Sequence, residues 1–60
     1  MNITIVMVEG KTLYVAQASA EQQVKLRSII ADGHGVFEFT QDDRTYFVNA
    51  INILYVEATV

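Results

Sequence analysis

Three observations in this 60-residue chain predict an α+β fold with the element order β-β-α-β-β-β. A capping-box sequence, Ser19-Ala20-Glu21-Gln22, opens a helical stretch that runs to a glycine at position 33. One hairpin signature precedes this stretch and a second follows it, and an apolar strand from Ile53 to Thr59 completes the pattern. The outer segments carry a further message. Ile3-Thr4-Ile5-Val6-Met7-Val8 and Ile51-Asn52-Ile53-Leu54-Tyr55-Val56 are apolar on both faces instead of alternating, so both faces need cover. A single helix covers one of them. The other is left for a second copy of the chain or for a partner.

In the first hairpin, Val8-Glu9-Gly10-Lys11-Thr12 puts glycine where a type I turn followed by a bulge needs positive φ. That register gathers Ile3, Ile5, Met7, Leu13 and Val15 on one face and Thr4, Val6, Thr12 and Tyr14 on the other. In the helix, Ser19 and Gln22 exchange capping bonds, and Glu21 sits at the positive end of the dipole. Gly33 is the left-handed residue past the C-terminus, and Gly35 keeps the exit flexible. Leu26, Ile29 and Ile30 form the stripe expected to face the sheet, and Ala20, Val24 and Ala31 form a shallower one, read as the edge of a broad core face or as a partner groove. The second hairpin spans Val36 to Asn49 with Asp42-Asp43 at its turn. Pairing Gln41 with Arg44 collects Phe37, Phe39, Tyr46 and Val48 on one face, whereas a slip by one residue would exchange Tyr46 for Phe47. Asn49 to Asn52 reads as a tight turn before the last strand.

Two architectures fit this order in a single domain over residues 1–60. In an open β-grasp-like sheet the first and last strands lie parallel at the centre under the helix, which would account for their apolar character. The alternative is a small SH3-like barrel with a helical insertion, in which a tight helical turn at Asn49–Asn52 precedes the fifth strand. The open sheet is the preferred expectation. Met1-Asn2-Ile3-Thr4-Ile5 with Gly10-Lys11-Thr12 resembles the opening hairpin of ubiquitin-type β-grasp proteins. Ala18-Ser19-Ala20-Glu21 and Glu38-Phe39-Thr40-Gln41-Asp42-Asp43 resemble the helix start and second hairpin of streptococcal immunoglobulin-binding domains. The resemblance covers about a third of the chain, consists of turn and cap signals, and implies a fold but no activity.

A chain of this length buries only about 60% of the surface its unfolded form exposes. It has no cysteine and no proline, and so neither disulfides nor stiffened loops. Hydrophobic residues reach 52%, with a mean hydropathy of +0.26, so oligomerisation is the support that remains. The longest uninterrupted apolar runs are four residues, against roughly 18 for a membrane-spanning helix. No secretory signal pattern opens the chain, and the cytoplasm is the expected compartment. Seven acidic residues against four basic ones give a net charge of −3. Lys11, Lys25, Arg27 and Arg44 are scattered, which disfavours nucleic acid as a partner.

No motif for catalysis emerges, and no cofactor or metal is expected. His34 is the only imidazole and lies in a glycine loop without a placed proton-transfer partner. Ser19 is occupied by capping, and Asp42-Asp43 sits at a hairpin tip, with no cleft to separate two carboxylates. The loop Gly33-His34-Gly35 offers amides that could cradle an anion or line a small-molecule pocket at a subunit boundary. Aromatic residues on a sheet can also stack the bases of a single strand, but Glu38 and Glu57 would share that surface. The expectation is therefore a non-enzymatic protein-binding module, homo-oligomeric with a dimer favoured, using Val6, Tyr14, Phe47, Ile53 and Tyr55 as an outward interface. Free-standing proteins of this size are often phage or mobile-element accessories that bind a host factor.

Overall fold

Local signals place every element of the computed structural model, which describes residues 1–60. The strands are β1 (Asn2–Met7), β2 (Thr12–Val15), β3 (Val36–Gln41), β4 (Arg44–Asn49) and β5 (Ile53–Thr59). Helix α1 (Ala20–Asp32) lies between β2 and β3, and a 3₁₀ turn, Ala50–Asn52, leads into β5. The fold is thus α+β with the order β-β-α-β-β-β.

The first hairpin takes the bulged register. Gly10 N–H donates to Met7 C=O at 2.9 Å, Met7 N–H donates to Lys11 C=O at 2.8 Å, and Gly10 has φ +96°. Ile3 consequently faces Val15, and Ile5 faces Leu13. The capping box closes as the sequence requires, with Gln22 N–H donating to Ser19 Oγ at 3.1 Å and Ser19 N–H to Gln22 Oε1 at 2.8 Å. Gly33 ends the helix in the left-handed conformation, its N–H shared between the carbonyls of Ile29 and Ile30. The second hairpin pairs Gln41 with Arg44, so Tyr46 and not Phe47 joins Phe39 on the inner face. Its turn residues Asp42 and Asp43 both have positive φ, at 55° and 63°. The rings of Phe39 and Tyr46 stack at a centroid distance of 4.9 Å.

The strands form two antiparallel sheets, one ordered β2-β1-β5 and one made of β3 and β4. Here the structure departs from the parallel first-and-last pairing expected of an open β-grasp sheet, because β5 runs antiparallel to β1. Chain length supplies the reason. The three-residue turn Ala50–Asn52 delivers β5 beside the end of β1, where Val8 N–H donates to Asn52 C=O at 2.8 Å. From that point the strand can only run back along β1. The helical turn before the fifth strand is the feature that the barrel alternative supplies.

Between the sheets lies a core of 11 buried residues, all apolar, among them Ile3, Ile5, Phe37, Phe39 and Val48. The helix adds Leu26 and Ile29 to it. Ile30, expected in the same stripe, is 42% exposed. The buried stripe is narrow, and on its two sides α1 lines grooves with Ile3 and Val56 and with Val36 and Phe37. Ala20, Val24 and Ala31 are exposed as well, which corrects their reading as the edge of a broad core face.

The side chain of Gln41 joins the two sheets. Its Oε1 accepts from Ala16 N–H and its Nε2 donates to Tyr14 C=O, both at 2.9 Å. Those two bonds reproduce what a neighbouring strand would make with β2.

Candidate functional site

The outer face of the three-stranded sheet is built by strict alternation. Ile3, Ile5 and Met7 point to the core, so Asn2, Thr4 and Val6 point outward. Register brings Tyr14 beside Thr4, and Tyr55 beside Val6. Val6 is half-buried, whereas Tyr14 and Tyr55 are 65% and 54% exposed. The three make an apolar and aromatic strip across the sheet, with Thr4, Thr12 and Glu57 around it.

Two of the five residues expected in this patch lie elsewhere. Ile53 pairs with Met7 and packs against the core, because the ladder between β1 and β5 shifts register between Val6 and Met7. The shift leaves Leu54 without a partner on β1, as a bulge does, and turns it to solvent at 62% exposure. Strict alternation from Val56 would have done the opposite, burying Leu54 and exposing Ile53. Leu54 is thus the member of this surface that sequence reasoning missed, since no glycine or proline marks the bulge. Phe47 is 68% exposed, but it stands opposite Glu38 on the outer face of the other sheet.

The loop Gly33-His34-Gly35 gives part of its backbone to the fold. The Gly33 amide is used by the helix cap, and the Gly35 carbonyl accepts from Ala50 N–H at 2.9 Å. A Cβ at Gly35 would lie 2.8 Å from Ile29 Cγ2, so this glycine serves close packing against the helix. His34 is exposed beside it. No three carboxylate, imidazole or thiol groups converge as metal ligands would. Asp42 and Asp43 are exposed at the hairpin tip.

The outer face of each sheet carries an acid. Glu57 lies opposite Thr4 on the first outer face and Glu38 opposite Phe47 on the second. Lys25 and Arg27 are on the helix, while Lys11 and Arg44 sit at the two hairpin turns. The strip formed by Val6, Tyr14 and Tyr55 therefore lies beside an acid, an arrangement unsuited to a phosphate backbone. No helix is long and apolar enough to cross a membrane. No protein-family model matches this chain, and no curated protein does, so the functional reading rests on the chemistry of this surface.

Proposed function

We propose that this chain is a small, non-enzymatic protein-binding module of the cytoplasm that works as a homo-oligomer, most simply a dimer, with the outer face of the β2-β1-β5 sheet as its binding surface. One observation carries the reading. Tyr14, Leu54 and Tyr55 remain more than half exposed around Val6, in a chain whose core buries 11 residues. Tyrosine supplies large contact area at small entropic cost, which suits it to recognition. The size of the chain fits an accessory of a phage or mobile element that engages a host factor.

Sedimentation at micromolar concentration tests the oligomer and should return a multiple of the 6.7 kDa chain mass; a stable monomer overturns it. The face is tested by capture from host lysate. A tagged wild-type chain should retain a partner that a Tyr14→Ala/Tyr55→Ala variant with unchanged circular dichroism releases. Equal retention by the two would remove this face from the proposal.

A further inference from the structure

We infer that two copies of this chain join through the free edge of β5, pairing β5 with β5 in an antiparallel register centred on Val56. The inference rests on the homo-oligomeric reading above and names the element through which it occurs.

Hydrogen-bond phase identifies the groups available at that edge. Met7 N–H donates to Lys11 on the β2 side of β1, and Val8 N–H donates to Asn52 on the β5 side. Successive residues of an antiparallel strand turn their backbone groups to opposite sides, so Asn2, Thr4 and Val6 bond toward β5. Their partners Thr59, Glu57 and Tyr55 face β1. Val56 and Ala58 therefore present N–H and C=O to the far edge. Strand β5 pairs with β1 alone, and neither the loop bonds nor the side-chain bonds of the protein reach residues 54–60.

The opposite edge of the same sheet is partly covered. Gln41 takes Ala16 N–H and Tyr14 C=O, two of the groups turned away from β1 there. Strand β5 has no such cover over its seven residues, and it contains neither proline nor lysine to discourage pairing. It is also longer than β3 or β4, which have six residues each.

Self-pairing requires the edge-facing residues of both copies to meet, so the two-fold axis must pass through a residue and not between two. An axis at Glu57 sets Glu57 against its own copy, a like-charge pair that is destabilising. Axes at Tyr55 or Ala58 shorten the overlap. With the axis at Val56, the middle of Ile53–Thr59, the two strands overlap over their full length, with the bulge at Leu54 opposite the other copy's Ala58. Each Tyr55 then faces the other copy's Glu57, with the tyrosine hydroxyl available to donate to the carboxylate. This pairing doubles the three-stranded sheet. It also puts both Val6–Tyr14–Tyr55 strips on the same side, so the dimer presents one enlarged binding face.

Two variants test the inference. Ala58→Pro removes an N–H that points away from β1, so the internal ladder survives while the edge loses a donor. The chain has no native cysteine, which makes Tyr55→Cys/Glu57→Cys a clean cross-linking probe. Residues facing each other in a non-hydrogen-bonded pair have Cα atoms about 4.5 Å apart, inside the range of about 4.4–6.8 Å that a disulfide spans. The expected results are a wild-type dimer by sedimentation, a shift to the single-chain mass in Ala58→Pro, and covalent dimer from the cysteine variant on a non-reducing gel after mild oxidation. A wild-type monomer overturns both this inference and the oligomeric reading. A dimer that persists in a folded Ala58→Pro chain, or a cysteine variant that oxidises without forming covalent dimer, overturns edge pairing and leaves the oligomer standing. If Ala58→Pro does not fold, the cysteine variant decides alone.

Discussion

At Gly35 one added carbon would meet Ile29 Cγ2 at 2.8 Å and Ile29 Cβ at 3.2 Å, with the backbone held at φ +125°. Two costs combine there, left-handed strain for an L-residue and overpacking against the buried face of the helix. Gly35→Ala should therefore lower stability by about 2–3 kcal/mol, measured by urea unfolding. His34→Ala next to it should stay within about 0.5 kcal/mol, as expected of an exposed loop side chain. The role of Gly33 was legible, because a glycine after a helical stretch is a recurring cap. That of Gly35 was not. A close approach between backbone and a side chain six residues earlier depends on where the chain goes after the cap, so it read as loop flexibility.

Among the elements, β5 shows how one unpaired residue reverses an assignment. Uninterrupted alternation from Val56 would put Leu54 in the core and Ile53 outside, and the register shift beside Met7 exchanges them. Ile53→Ala should cost about 1–2 kcal/mol, given that the side chain is half-buried against the core. Leu54→Ala should change stability by less than about 0.5 kcal/mol while weakening partner capture. Thermal and chemical unfolding of the pair checks this; a large loss for Leu54→Ala with none for Ile53→Ala would restore uninterrupted alternation. The hairpins behaved differently. The register of the first follows from Gly10, a local signal, whereas Asp42-Asp43 left a one-residue slip open in the second, which the packing of Tyr46 on Phe39 decides.

Across the whole molecule, two sheets that share no backbone ladder are held as one body by the core and by the Gln41 amide. Gln41→Ala should cost about 1 kcal/mol, since both bonds are near the surface and each is worth about 0.5–1.5 kcal/mol net. Hydrogen exchange gives the specific readout. The Ala16 amide should exchange faster in Gln41→Ala, while the amides of β1 keep their protection. Gln41→Glu keeps an acceptor for Ala16 N–H but loses the donor to Tyr14 C=O, so it should fall between the two. Exchange at Ala16 unchanged in Gln41→Ala would mean that the amide does not bind the sheets together.

Local chemistry was enough to specify the α+β class, the element order, the register of the first hairpin, the capped helix and the surplus of apolar surface, while the register of the second hairpin was decided by the fold. Each of the former depends on contacts within a few residues or on composition, which a linear pattern carries directly. Strand direction, the division into two sheets, the bulge at Leu54, the narrow buried stripe of the helix and the separation of Phe47 from Tyr14 and Tyr55 came from long-range geometry. They follow from a three-residue turn that returns β5 along β1 and from the packing of the helix on both sheets. Only the folded chain expresses such constraints, because they arise where distant segments compete for the same space.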